Sequence, residues 1–271
     1  NSDAIAANLV EYLAWNIASS CPFEMKRMRK PVEKEIPGVS FREKIFKNIS
    51  WLFIDKIIRI FGGLVVGIWV ARYLGPNDYG VLNFAIAYIT LFVIFVKIGL
   101  DHIVIREIVK NPKLTNYILG TAFGLKLIGA IIATVFVYYS LNFINIDYKT
   151  EIVIYIMIVG FIFQSLDVID YFYQAKVLSK YVVIVRNGAF LLSSLLKIYF
   201  MLNQYSVIYI AFASVIDTIL SSLFLVMVFQ KTKNEIKLWR FSNKIAIKLF
   251  SYSWSLALST FLISVHMKID Q

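Results

Sequence analysis

Cysteine and histidine are almost absent from this sequence, which excludes several classes of site. Cys21 stands alone, so the chain by itself can form neither a disulfide framework nor a cysteine-based metal site. The two histidines, His102 and His266, are isolated from each other. No P-loop, GxGxxG or HExxH pattern occurs. We therefore expect no cofactor and no metal ion, and neither nucleotide-driven nor zinc-dependent chemistry.

Charge is also scarce, and apolar residues take its place. Hydrophobic residues make up 59% and charged residues 17% of the chain, against about half and about a quarter in soluble domains. Each apolar run is near the ~20 residues that a helix needs to cross the hydrocarbon core, and none alternates as a membrane strand would. The sequence predicts an all-α integral membrane protein, a polytopic helix bundle. Its six complete spans are 49–74, 81–100, 117–141, 152–173, 181–202 and 207–229, and a seventh begins near Ala246 and runs to Gln271.

Lysine and arginine are unevenly divided between the two sides of the predicted membrane. Most of the 28 are on the side of the stretch before the first span and the second, fourth and sixth connections, whereas the opposite side has only Arg72 and Lys149. Cytoplasmic loops carry such an excess, so the amino terminus is predicted to be cytoplasmic. The net charge of +11 is then a topology signal with membrane lipids as neighbours, and we expect no nucleic-acid partner.

Three charged residues lie deepest within the predicted spans: Lys126, Lys197 and Asp217. Lys126 is about ten residues into its span, or roughly 15 Å along a helix. Charges at that depth are costly and commonly mark a substrate or ion pathway. They would face a wet cavity and bind an anionic group or a coupling cation. The alternative is a buried ion pair or a hydrogen-bonded contact between helices.

The first span holds an acid and two bases close together. Asp55 and Arg59 are four residues apart, so they can pair on one helical face, while Lys56 points about 100° away. In the fourth span, Asp167 and Asp170 either line a cytoplasmic mouth or form a solvated helix end.

Two glycine pairs at GxxxG spacing predict close helix approach. They are Gly63 with Gly67 in the first span and Gly120 with Gly124 in the third.

Several short stretches resemble the Wzx-type polysaccharide flippases, which belong to the larger group of MATE-like multidrug, oligosaccharidyl-lipid and polysaccharide exporters. NISWL opens the first span at 48–52, and GIWVARYLGP follows at 67–76 with a Tyr-Gly pair at 79–80. Further matches are IGLD at 98–101, the segment from Arg106-Glu107 to Asn111-Pro112, and KIDQ at 268–271.

This resemblance implies a V-shaped transporter of two six-helix lobes. The implied task is to move polyprenyl-pyrophosphate-linked oligosaccharide across the bacterial cytoplasmic (inner) membrane during O-antigen, lipopolysaccharide or other surface polysaccharide synthesis, with polysaccharide polymerase machinery as a possible partner. Under this hypothesis the positive charge for the pyrophosphate comes from Lys126 and Arg59, with Lys56 and Lys197 as weaker candidates. The candidates for a coupled cation or proton are Asp217 and Asp55.

The resemblance also implies a domain division. We expect a basic cytoplasmic segment at 1–47, a six-helix lobe at 48–229, a cytoplasmic linker at 230–245 and the start of a second, truncated lobe at 246–271. Because the chain starts at Asn1 and stops within its seventh span, we expect an incomplete reading frame with a native start at Met25 or Met28. A peripheral amphipathic helix near the amino terminus is the alternative.

Two other functions remain open at this point. A cation-coupled exporter of drugs or other small molecules would share the same fold and show altered efflux without a glycan defect. A membrane-embedded glycosyltransferase or polymerase would need catalytic loops on the outer surface. The outer connections at 75–80, 142–151 and 203–206 are short, so the sequence favours a transporter over an enzyme.

Overall fold

The computed structural model describes residues 41–232 and 234–253, with side chains from residue 48 onward. The residues in these ranges form α-helices, 3-10 turns and loops, and none of them forms a strand. This confirms the predicted all-α polytopic bundle. Predictions for 1–40 and 254–271 lie outside the described residues. The helices are α1 (Phe41–Lys97), α2 (Leu100–Lys110), α3 (Thr115–Leu141), α4 (Tyr148–Gln164), α5 (Val168–Ala175), α6 (Ser179–Leu202), α7 (Val207–Lys231) and α8 (residues 243–253).

Helix α1 consists of two limbs that meet at Gly75. This residue has φ +69° and ψ 178°, a conformation that glycine adopts without strain, and Pro76 then starts the second limb. The hydroxyl of Tyr73 donates to the carbonyl of Tyr205 at 2.8 Å, beside this bend. The Gly-Pro pair thus joins the first two predicted spans.

The two limbs run antiparallel through the bundle. At the far end of the first limb, Asn48 Oδ1 accepts a hydrogen bond from the backbone N–H of Ser179 at 2.8 Å, which places this limb beside α6. The second limb passes α3, where the carbonyl of Phe95 lies against Gly129. Five helical stretches in the described chain are long and apolar enough to cross a membrane, and the first, Asn48–Lys110, contains both limbs together with α2.

The fourth predicted span, 152–173, is broken rather than continuous. A 3-10 turn at Ser165–Asp167 separates α4 from α5, and the Ser165 hydroxyl donates to the Ile162 carbonyl at 2.6 Å. Short 3-10 stretches inside a helix often mark a functional hinge or local strain. The break lies beside the charged side chains described below.

Two separate apolar clusters hold the bundle together, one near each membrane face. On α3, one cluster contains Ile118, Leu119 and Ala122 and the other begins at Ala130. On α7, one runs from Val207 to Val215 and the other starts at Leu225. A similar gap separates Phe161 from Val168 between α4 and α5, and Val185 from Met201 on α6. Most charged side chains of these helices fall into this gap, and Asp55 and Arg59 of α1 lie beside Asn187 and Phe190 of α6 at the same level. We call this set the polar layer: Asp55, Arg59, Lys126, Gln164, Asp167, Arg186, Asn187, Lys197 and Asp217.

Close helix packing occurs at a glycine outside both predicted pairs. A Cβ added to Gly129 would lie 2.0 Å from the carbonyl oxygen of Phe95, so only glycine allows α3 to approach α1 this closely. A Cβ on Gly63 or Gly67 would meet nothing within 4 Å. The predicted close approach at Gly63 and Gly67 is therefore absent from the described part of the chain.

The second glycine pair does permit close packing, but against a loop rather than a helix. A Cβ on Gly120 would lie 2.7 Å from the backbone nitrogen of Arg240, and one on Gly124 would lie 2.9 Å from the ring of Phe241. The predicted partner, a neighbouring helix, is thus replaced by the segment that follows α7.

This segment, residues 234–242, lies against the basic end of the bundle instead of forming a free linker. The Trp239 ring contacts the rings of Phe123 and Phe229 with centroids 5.6 and 5.8 Å apart. The backbone N–H of Ser242 donates to Thr121 Oγ1 at 3.1 Å. Much of the predicted linker at 230–245 is consequently packed on α3 and α7.

A buried acid anchors α8 to α2. Glu107 is 5% exposed and accepts a hydrogen bond from Lys248 Nζ at 2.7 Å, while Arg106 lies 3.6 Å away. We expect Glu107→Gln to loosen the docked segment, because a charge-assisted bond of about 1.5 to 3 kcal/mol is weakened. Trypsin should then cleave after the exposed Lys237 and Arg240 several-fold faster. The matched control is Glu235→Gln, an exposed acid on the same segment, and equal cleavage of both variants would contradict the anchor.

Candidate functional site

Lys126 is the most deeply buried charge of the polar layer. It is 1% exposed, and its Nζ donates to the Tyr171 hydroxyl at 3.0 Å. Tyr171 in turn donates a short hydrogen bond to Asp101, and Asp167 is the other acid near Lys126. Lys126 thus differs from the expected cavity-facing lysine, because internal partners on α2 and α5 satisfy it. Lys126 instead forms a buried hydrogen-bonded contact between helices, which is the alternative that the sequence left open.

Arg186 forms the second group of the layer, with two acids of the α4–α5 region. Its guanidinium lies 2.9 Å from Asp170 Oδ2 and 3.6 Å from Asp167 Oδ1. Asp170 is 4% exposed and also accepts from Gln174 Nε2 at 3.0 Å. Asp170 is therefore an interior ion-pair partner and not part of a solvated helix end.

Sequence reasoning missed this pair, although a signal for it exists. The connection between α5 and α6 is only three residues long. Asp170 lies five residues before the end of α5, and Arg186 lies seven residues after the start of α6. Two antiparallel helices joined so tightly place residues at similar distances from the turn at similar depth. Counting outward from the turn would have placed the acid opposite the arginine.

Asp55 and Arg59 pair as the sequence predicted. Arg59 Nε lies 3.2 Å from Asp55 Oδ1, and Asn187 Nδ2 donates to the same oxygen at 2.9 Å. The Arg59 guanidinium carbon lies 5.8 Å from the centre of the Phe190 ring. With its side chain 32% exposed, Arg59 is a mid-span cation that a bound group can reach from the first limb of α1.

Asp217 lies near the middle of α7, and Lys197 lies five residues before the end of α6. The cations nearest to Asp217 are Arg59, Lys197 and Arg186, and Ser193 lies beside its carboxylate. Asp217 Oδ1 is buried and has no hydrogen-bond partner among the described residues. Asp217 is the acidic neighbour of Lys197.

The six predicted site residues do not form one site. Arg59, Lys197, Asp55 and Asp217 lie together where α1, α6 and α7 meet. Lys126 lies in the neighbouring group on α2, α3 and α5. Lys56 is exposed on the outside of α1, and no ion pair joins it to the polar layer within the described chain.

Acids and bases balance in this region. The cations that interact in and around the layer are Arg59, Lys97, Lys126, Arg186 and Lys197, and the carboxylates are Asp55, Asp101, Asp167, Asp170 and Asp217. Balanced pairs lower the cost of holding charge inside a membrane. In this layer every predicted cation except Lys56 has an acidic neighbour within the described chain.

Comparisons with known proteins agree with this architecture. Residues 45–271 match the sequence profile of the family described as polysaccharide biosynthesis protein. Curated proteins and solved structures gave no match. The matched region includes most of the chain and every described helix apart from the first four residues of α1. The chain therefore belongs to the polysaccharide biosynthesis protein family, that of the Wzx-type flippases and MATE-like exporters, and it is a multi-pass membrane transporter of polysaccharide biosynthesis.

Proposed function

We propose that this protein is a flippase that moves polyprenyl-pyrophosphate-linked oligosaccharide from the cytoplasmic to the outer leaflet of the bacterial cytoplasmic membrane. The observation that carries the proposal is the family match over residues 45–271. In this proposal the substrate is made on the cytoplasmic side of the membrane and used on the outer side, so a membrane protein of polysaccharide synthesis has to move it across. The basic connections favour a cytoplasmic amino terminus.

The physical problem that such a protein solves is the transfer of a polar head group through hydrocarbon. Hydroxyl and pyrophosphate groups lose their hydrogen bonds to water on entering an apolar medium, at several kcal/mol for each unsatisfied group. The polyprenyl chain has no such barrier and can remain among the lipid tails. A protein with charged side chains at mid-membrane depth lowers the barrier for the head group.

Arg59 is the residue that we assign to the head group, with Lys197 behind it. Arg59 is partly exposed, and a guanidinium can bind two phosphate oxygens at once. Binding of a phosphate would draw Arg59 away from Asp55 and leave that carboxylate free to take up a proton or cation. Asp217, whose Oδ1 has no hydrogen-bond partner in the described chain, is the second candidate for such uptake. In this scheme Lys126 maintains the lobe through Tyr171 instead of contacting substrate.

We expect Arg59→Gln to reduce transport by about tenfold to a hundredfold. The lost charge-assisted hydrogen bonds amount to about 1.5 to 3 kcal/mol, and 1.36 kcal/mol is tenfold. The control is Arg72→Gln, an exposed arginine on the same limb of α1. The measurement is the amount of surface glycan in a gene-deletion strain that carries each variant at equal protein level. Equal activity of the two variants would remove Arg59 from the site.

The flippase proposal itself is tested by deleting the gene and locating the lipid-linked oligosaccharide. Accumulation in the inner leaflet, relieved by the restored gene, is the expected result. Normal surface glycan together with altered efflux of cationic compounds would instead identify a small-molecule exporter. Absence of lipid-linked oligosaccharide from both leaflets would identify a role in its synthesis, and either outcome would overturn the proposal.

A further inference from the structure

A polar cavity of about 300 Å³ lies at the end of the bundle that carries most of the basic residues. It is lined by the turn before α3 with the first turn of α3, by the end of α5 and the residue after it, and by the last turn of α7. The side chains that matter here are Lys113 and Asn116 from the first segment, Phe172 and Lys176 from the second, and Phe229 from the third. None of these residues belongs to the polar layer, so this cavity is separate from the proposed transport site.

Positive charge in this cavity is uncompensated. No acidic residue lines it, and neither Lys113 nor Lys176 forms an ion pair within the described part of the chain. Both lysines are exposed. This contrasts with the polar layer, where nearly every cation has an acidic neighbour. Two ammonium groups that share one opening attract an anion between them, and Asn116 adds an uncharged amide at the same opening.

The floor of the cavity is apolar. The rings of Phe172 and Phe229 pack edge to face with centroids 5.3 Å apart, and both residues are buried. Lys176 Nζ lies 5.9 Å from the centre of the Phe172 ring, a distance at which the ring face attracts a cation. The opening is therefore cationic at its rim and apolar beneath, which suits a phosphate group attached to an apolar body.

We propose that this cavity binds the phosphate group of an anionic phospholipid. The cavity lies at the ends of helices on the side that is predicted to be cytoplasmic. Basic pockets between transmembrane helices on that side bind anionic lipid head groups. Lys113 and Lys176 contact the phosphate, and the aromatic floor lies against the glycerol backbone. Occupancy would join the turn before α3 to the ends of α5 and α7. This site does not depend on what the transporter carries.

The test is native mass spectrometry of the whole protein, released from detergent with a titrated lipid. The probes are dioleoylphosphatidylglycerol, dioleoylphosphatidylcholine and inorganic phosphate. The double variant Lys113→Gln/Lys176→Gln removes both rim charges. The matched control, Lys110→Gln/Lys237→Gln, removes two exposed lysines of the same side that do not line the cavity. All four positions are exposed, so folding should be preserved, and size-exclusion chromatography checks this.

We expect phosphatidylglycerol to bind the double variant about 30-fold more weakly than the wild type, because each basic residue near the lipid surface contributes about 1 kcal/mol and 1.36 kcal/mol is tenfold. The control should bind as the wild type does, and phosphatidylcholine should not bind at this site. If millimolar inorganic phosphate competes with phosphatidylglycerol in the wild type but not in the double variant, that result would support the phosphate site and show that it also binds soluble phosphate. Equal weakening in the control, or equal binding of both lipids to the wild type, would overturn the proposal.

Discussion

Replacing Gly129 with alanine is expected to unfold this protein more readily than almost any other single-methyl change. The added Cβ would lie 2.0 Å from the Phe95 carbonyl oxygen, far inside van der Waals contact, so α3 and the second limb of α1 must separate. Overpacking of this kind costs about 1 to 3 kcal/mol or more. The measurement is the melting temperature in detergent, followed by tryptophan fluorescence.

Gly63→Ala is the matched control for this experiment. A Cβ on Gly63 would meet nothing within 4 Å, and alanine is favoured over glycine inside a helix by about 0.8 to 1 kcal/mol. We therefore expect the control to be neutral or slightly stabilising. A similar loss of stability in both variants would mean that helix flexibility, and not the contact with Phe95, governs the effect.

The second large effect is expected at Lys126. Lys126→Met removes the ammonium that donates to Tyr171 and leaves Asp101 and Asp167 without it. Removing one partner from a buried charged group costs about 3 to 5 kcal/mol, and we expect the lower end because Asp101 is only partly buried. The melting temperature and the amount of folded protein in the membrane should both fall.

A double-mutant cycle with Tyr171→Phe separates a structural role for Lys126 from a substrate role. If Lys126 acts through Tyr171, the two changes together should cost less than the sum of the single changes, by about 0.5 to 3 kcal/mol. Lys126→Met that retained full stability but lost transport would contradict this assignment and restore the expected contact with substrate.

Residues close together in the chain were the ones whose partners could be predicted. Asp55 and Arg59 are one helical turn apart, so their pairing follows from helix geometry alone. The reversal at Gly75 and Pro76 likewise depends on two adjacent residues. Local geometry relates such residues whatever the rest of the bundle does.

Partners far apart in the chain could not be assigned in the same way. Tyr171 is 45 residues from Lys126, and Ser242 is 121 residues from Thr121. The GxxxG spacing of Gly120 and Gly124 correctly predicted a close approach, but the partner is a loop and not the predicted helix. Several helix arrangements satisfy the same hydropathy pattern, and they differ in which side chains meet.

By itself the sequence determined that this chain is a helical membrane protein, where its apolar spans lie, and which short motifs link it to its family. Burial of apolar residues in a bilayer and the backbone's need for internal hydrogen bonds are enough for that. Only the tertiary structure decided that Lys126 faces inward, that Arg186 meets Asp170, and that residues 234–242 close the basic end of the bundle. The physical reason is that a charge in a membrane must find a partner, and packing between distant helices selects which one.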